Sequence, residues 1–290
     1  MSTYENCYTI LDDIRRSLNE YTAGLLAGTS TSGAFDNDWI ARRINRAQRN
    51  LHAILFRYLP EEFLTSASLT GVDSVFTLPW DFGAMVGFKN TNNRTVTRTN
   101  IHSLPATGSS GSARLYYRKG NTLVLTKSGI TDTYTLWYYS KPRDMTQGLC
   151  AVSQTLVAPA KVIADYYNGI VLESITGDWV DTITDYTAAR VITMATETLD
   201  VSDYYGTVSE LPEMFHPLIA ARAMLICKAE HPLSQEKPNM IGVQAWSAEV
   251  EDAILAFAGN RADVSAEDIW TDYGGIGAGG TNIPGQGIVF

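Results

Sequence analysis

The sequence predicts an α+β protein: a helical bundle built from both chain ends, a main antiparallel β domain, a second small β insertion and an extended C-terminal arm. Three observations carry this. Apolar residues recur at three- and four-residue steps near both ends of the chain. Between them lie short β-prone runs separated by Gly, Asn, Pro and Ser. The last twenty residues, TDYGGIGAGGTNIPGQGIVF, hold seven glycines, a composition that supports neither a helix nor an independent core. The expected divisions are a helical hairpin at 1–60, a β domain at 61–141, a linker and small β module at 142–206, a second helical hairpin at 207–262 and the arm at 263–290.

The first helix is expected from about Thr3 to Leu26, with Ser2 and Glu5 as a capping box and Cys7, Ile10, Leu11, Ile14, Leu18, Tyr21 and Leu25 as its stripe. A small-residue turn, GTSTSGAF, leads to the second, NDWIARRINRAQRNLHAILFRY at 37–58. Trp39, Ile40, Arg43, Ala47, Leu51, Ile54, Leu55 and Tyr58 form one face of it. Asp36 or Asp38 can cap its start, and Pro60 limits its end. Two such helices joined by a short loop pack antiparallel.

Strands are expected at Ser74–Leu78, Val86–Lys89, Arg94–Thr97, Ala113–Arg118, Thr122–Leu125 and Tyr134–Tyr139, with a hairpin at Lys119-Gly120-Asn121 and a turn at Pro79-Trp80-Asp81. After a linker-like passage at 142–160, three strands at Ile170–Ile175, Val180–Tyr186 and Arg190–Met194 read as a meander. Pro212 and Glu213 open a nearly all-apolar helix through Phe215, Leu218, Ile219, Leu225 and Ile226. A last helix carries Val243, Trp246, Val250, Ala253, Ile254 and Phe257.

Composition narrows the function. The chain is 45% hydrophobic and 18% charged, which places it with globular proteins. Three scattered cysteines, Cys7, Cys150 and Cys227, make no disulfide framework and suit a reducing cytoplasm. The N-terminus reads as a helix and not a signal peptide, and no apolar run reaches membrane-spanning length, so no membrane partner is expected. The four histidines, His52, His102, His216 and His231, sit in no metal-binding spacing; His52 reads as a solvated residue of its helix. There is no nucleophile elbow, P-loop or dinucleotide fingerprint. Asp178, Asp181 and Asp185 form the densest acidic cluster near an aromatic, Trp179, but their strand offsets point them to opposite faces. No catalytic residue, metal or cofactor is expected.

Charge is split along the chain. Residues 1–141 hold 15 Lys/Arg against 11 Asp/Glu, and residues 142–290 hold 7 against 20. Arg42, Arg43, Arg46, Arg49 and Arg57 crowd the second helix. This surface admits nucleic-acid binding, intersubunit ion pairing or plain solvation. The acid excess in the other half favours ion pairing, with Arg42, Arg43, Arg46 and Arg49 at subunit contacts. The arm ends in an apolar tip. Tyr273, Ile283, Ile288, Val289 and Phe290 are its docking residues for a neighbour or another protein, the alternative being a tail in solution.

The stretches NDWIARRINRAQRNLHAILFRYLPEEF, FTLPWDF, YYRKGNTLVL, LWYYSKP and ELPEMFHPLIAARA, in that order, resemble the head–tail adaptor (connector) proteins of tailed bacteriophages, of the larger podovirus-like type. YYNGIVLESITGDWVDTITDYTAARVITM resembles a small β module of phage structural proteins, its usual glycine-rich turn shortened to TGDW. The resemblance implies a virion component at the head–tail junction, assembled in the bacterial cytoplasm. It implies a homo-oligomeric ring, commonly of twelve subunits, bound under the portal protein. Tail or nozzle proteins dock on it, and genomic DNA passes through its channel without sequence-specific binding. A tail-proximal ring or nozzle protein is a second reading; a carbohydrate-binding or hydrolysing tail protein is a third, from a different class.

Overall fold

A computed structural model of the protein describes residues 6–18, 36–100, 114–149, 153–155, 166–174, 178–187, 189, 191–201, 204–230 and 240–259. The first helix, α1, runs Cys7–Ser17 and not from Thr3. Asn6, in extended backbone, accepts from the N–H groups of Tyr8 and Thr9 and so supplies the cap. Leu18 closes the helix at its other end. Ser2, Glu5, Tyr21 and Leu25 lie outside the described residues.

Helix α2 spans Asn37–Tyr58, and of the two expected caps Asp36 is the one used, accepting from the Trp39 N–H at 2.5 Å. Its buried face is Ile40, Ile44, Ala47, Leu51 and Leu55, together with two polar residues, Asn45 and Gln48. A 3-10 turn at Pro60–Phe63 ends it. Near the other chain end, a 3-10 turn at Glu213–Phe215 leads into α3 at His216–Glu230, and α4 follows at Met240–Gly259. All four helices contribute to one apolar core, which includes Ile10, Ile14, Ile44, Leu51, Ile219, Ala223, Trp246 and Ile254. Helix α3 is apolar on every side because it packs against α1, α2 and α4 together.

The region after α2 forms two sheets over a second core. Strands β1 (Leu64–Thr70), β2 (Val75–Thr77), β3 (Phe82–Lys89), β4 (Thr97–Arg98), β5 (Leu115–Lys119), β6 (Thr122–Leu125) and β7 (Thr133–Ser140) order as β1-β7-β3 and β2-β6-β5-β4. The expectation of an antiparallel domain needs correction here, since β4 runs parallel to β5. The 16-residue connection 99–114 gives the chain length to return in the same direction. The aromatic strand β7 is central to its sheet, with Tyr134, Leu136 and Tyr138 turned into the core beside Phe76 and Phe88. Lys119-Gly120-Asn121 makes the expected hairpin, Gly120 at φ +58°. Strand β1 was not among the expected strands.

The meander is also larger than its sequence suggests. Strands β8 (Gln147–Leu149), β9 (Val171–Ser174), β10 (Val180–Tyr186), β11 (Ile192–Met194) and β12 (Tyr204–Thr207) order as β11-β10-β9-β12-β8. The passage read as a linker thus contributes an edge strand, and β12 fills the place between it and β9. A third core of Tyr166, Tyr167, Leu172, Ile183, Tyr186 and Tyr205 lies beneath.

Candidate functional site

The arginines of α2 are placed by the helix period: with Ile40, Ala47, Leu51 and Leu55 committed to the core, Arg42, Arg46 and Arg49 fall outside that stripe, and Arg43, expected on it, is half-buried at its edge. Arg43 donates through Nε and Nη2 to Glu230 Oε2, at 2.9 and 2.5 Å, and stacks over the Trp39 ring at 3.9 Å. Arg46 reaches the other oxygen of Glu230 at 3.1 Å. Arg49 pairs with Asp144 at 2.7 Å. Three of the four thus meet acids of their own chain, at the end of α3 and just after β7. Arg42 is exposed and without an acidic partner among the described residues. Tyr273, Ile283, Ile288, Val289 and Phe290 lie outside the described residues.

A cleft of about 330 Å³ opens beside Arg49, lined by His52, Trp80, Asp81, Lys141, Arg143 and Tyr166 among others. It marks the place where the helical core, the two-sheet core and the five-stranded sheet adjoin. Arg143 holds it. Its backbone N–H and Nε donate to the two oxygens of Glu210, at 2.7 and 2.5 Å, and Nη1 donates to the carbonyls of Tyr166 and Asn168. The guanidinium lies 4.9 Å over the Trp80 ring, which meets Tyr166 edge-on. From α2, Gln48 donates to the Arg143 carbonyl at 2.7 Å, and Asn45 exchanges two hydrogen bonds with the Met145 backbone. These backbone partners let two polar side chains, Asn45 and Gln48, stand within an apolar face. Of these residues sequence reasoning had picked out only Arg49 for the site; Arg143 and the rest it missed. The available signal was polar residues inside a core stripe facing a Pro-Arg-Asp run after an aromatic strand.

The titratable groups of the cleft suit structure better than chemistry. His52 is half-buried and meets Phe63 edge-on at 4.5 Å, not solvated as expected, and burial lowers its pKa. Burial pushes the Asp81 carboxyl up, while the Tyr138 hydroxyl, donating at 2.9 Å, pulls it back. Asp181 is buried in β10, where desolvation would raise it. The N–H groups of Glu197, Thr196 and Thr182 outweigh that and hold it below the usual carboxylate range. Asp178 and Asp185 are exposed, so the three do not converge. Burial raises the Cys7 thiol to about 12, far from a reactive thiolate. Among the described residues no cluster of His, Cys, Asp and Glu could hold a metal, and no helix is long and apolar enough to cross a membrane.

Residues 6–173 match the model of the SU10 adaptor protein family, more than half of the chain. The chain belongs to the SU10 adaptor family. The family is one of phage head–tail adaptors, in agreement with the sequence resemblance. No curated protein matches the chain. The match runs from the Asn6 cap into β9 and contains Arg42 to Arg49, Trp80 and Arg143. Glu210, Glu230, α3 and α4 lie beyond it. In this adaptor, then, the ion pairs of Arg43, Arg46 and Arg143 tie the matched segment to the chain that follows.

Proposed function

We propose that this adaptor forms a homo-oligomeric ring under the portal, extends the DNA channel and offers a platform to tail or nozzle proteins at the head–tail junction. The family carries the reading. The structure supports it with an architecture of three separate cores joined by polar clips, which presents several distinct surfaces to different neighbours. A net charge of −9 suits a wall that DNA slides past without sticking. In this reading the helices of both chain ends form the bundle of each subunit. The arginine face of Arg42, Arg43, Arg46 and Arg49 lies at a subunit contact, the last three of them oriented by ion pairs in their own chain. The arm, with Tyr273, Ile283, Ile288, Val289 and Phe290, reaches onto the portal or a neighbour.

Negative-stain imaging of the purified protein, with and without portal and with residues 271–290 intact or deleted, tests this. Rings seated on the portal by the intact chain are expected, and loss of seating by the truncated one. An intact chain that forms no ring in either setting would sink the reading; seating by the truncated chain removes the arm from it.

A further inference from the structure

A strand at the edge of a sheet leaves one row of backbone N–H and C=O groups unpaired, and proteins guard such rows by keeping them short, bulged or charged. Of the described edge strands, β2, β4, β8 and β11 are two or three residues long. Strand β3 is longer, but its register with β7 shifts at two places, and Val96 donates to its Phe88 carbonyl at 2.8 Å. Strand β1, LTSASLT, has none of these guards. It pairs with β7 over seven residues without a register shift and carries no charge. Gly71 donates to the Asp132 carbonyl opposite it at 3.2 Å, so in antiparallel pairing Leu69, Ala67 and Thr65 are the residues that bond to β7. The N–H and C=O groups of Ser66 and Ser68 therefore face away from β7. Among the described residues neither finds another hydrogen-bond partner.

The solvent face beside that edge carries an uncovered aromatic. Trp137, on the central strand β7, is 40% exposed and stands between Ser66 of β1 and Gly87 of β3. A Cβ added at Gly87 would meet nothing within 4 Å, so the ring has open space on that side, and Ser66 is too small to cover it on the other. Leu64, 42% exposed, lies two residues along on the same face. Ring and unpaired backbone together are what an added strand uses. The chain supplies a segment that fits. Residues 273–290 hold no charged residue, and in them Gly285-Gln286-Gly287-Ile288-Val289-Phe290 follows Pro284. Pro has no N–H to donate and suits the start of a strand, not its interior. As a strand these six residues would extend about 20 Å, close to the length of β1, with Ile288 and Phe290 on one face and Val289 on the other. The 25 residues 260–284 that join them to α4 can span about 80 Å.

We propose that Gly285–Phe290 of a second copy of this chain adds as a strand to the free edge of β1, with Ile288 and Phe290 against Trp137. The proposal rests on the ring and arm reading above and names the surface that receives the arm. Head-to-tail association needs two different surfaces on each copy, one given and one received, and the segment and the β1 edge are such a pair. Once a ring closes in this way no edge is left open to recruit further chains. The chain's own segment and a strand of the portal are the competing occupants.

Hydrogen exchange across 64–70 in the full-length protein tests it, with the chain dilute and monomeric, assembled, and assembled on the portal. The amides of Ser66 and Ser68 are expected to slow about tenfold or more on assembly and to stay fast in a chain lacking 285–290. Ser68→Pro removes one outward N–H and no bond to β7, and is expected to lower association about tenfold, whereas Ser68→Ala leaves it unchanged. Unaltered exchange in β7 shows that Ser68→Pro is folded; if β7 loosens, the truncated chain decides alone. Protection already present in the monomer and lost on truncation places the segment on its own chain. Protection that appears only on the portal and survives truncation gives the edge to the portal. Either result overturns the proposal, as does a folded Ser68→Pro variant that assembles like the wild type. Rings in which Ser66 and Ser68 exchange as in the monomer also overturn it and leave the ring reading standing. A wild-type chain that assembles neither alone nor on the portal overturns both.

Discussion

The side chain of Asn6 accepts from Tyr8 and Thr9 at the start of α1 and donates through Nδ2 to Glu173 Oε2 at 2.7 Å. Both residues are buried. Opposite lies Gly206, where an added Cβ would come 2.4 Å from Asn6 Oδ1, so only glycine lets β12 approach this closely. One amide therefore caps a helix and neutralises the isolation of a carboxylate on another unit. Replacing Asn6→Asp preserves the cap but removes the donor and sets a second carboxylate against Glu173. Two carboxylates sharing a site bind a proton more tightly than the separate groups of the unfolded chain, whose pKa values are about 4. The folded variant thus holds more protons than the unfolded one, so its stability is greatest in acid and falls as pH rises through the raised folded value. Urea midpoints of variant and wild type are expected to lie closer at pH 4.5 than at pH 7.5. An equal gap at both pH values would show that the carboxylates do not share the site. Asn6→Ala, which loses both the cap and the donor to buried Glu173, is expected to cost about 2 kcal/mol or more at neutral pH.

Among the elements, α4 is fastened to α3 at Trp246 inside apolar packing: its Nε1 donates to the Leu218 carbonyl at 2.8 Å, and Arg222 lies 4.9 Å over its ring. Trp246→Phe keeps most of the apolar volume and removes the donor. A loss of about 1–2 kcal/mol in urea unfolding is expected, with α4 amides exchanging faster than those of α2. Unchanged exchange in α4 would show that the indole contributes through packing alone. The helices were legible in sequence where the apolar period was long, as in α2, α3 and α4, even with Asn45 and Gln48 interrupting it in α2. In α1 the period was legible but the limits were not, because Asn6 competes for the cap through a partner, Glu173, far along the chain. Strand β1, LTSASLT, escaped notice because Leu69 is its one buried residue and its pairing is dictated by β7. Strands β8 and β12 are three and four residues long, QGL and YYGT, and owe their place to β9 and to each other. For the candidate site, the density of arginines on α2 was legible, whereas their partners were not. Glu230 and Asp144 stand 187 and 95 positions away from Arg43 and Arg49, and nothing local records such pairings.

In the whole molecule, three apolar cores are joined chiefly by side chains that are polar. Arg143 is the most connected of these, bonded to Glu210 and to the Tyr166 and Asn168 carbonyls while its own backbone is held from α2 by Gln48. Its side chain is 9% exposed and that of Glu210 31%, so the pair is only partly screened. Removing one partner of a buried pair costs about 3–5 kcal/mol; the exposure of Glu210 reduces the expectation for Arg143→Ala to about 2–3 kcal/mol. Lysine should not rescue it, since one ammonium cannot serve a carboxylate and two carbonyls while lying flat on the Trp80 ring. The loss is expected to fall unevenly. The helical core and the two-sheet core each retain their apolar packing, whereas the Tyr166–Asn168 segment, which leads into the five-stranded sheet, loses two of its anchoring hydrogen bonds. Hydrogen exchange should therefore quicken first across 166–208, with the buried amides of α2 and α3 protected until higher denaturant. Uniform loss of protection across all three cores would show instead that the molecule unfolds as one unit and that Arg143 is a local contact.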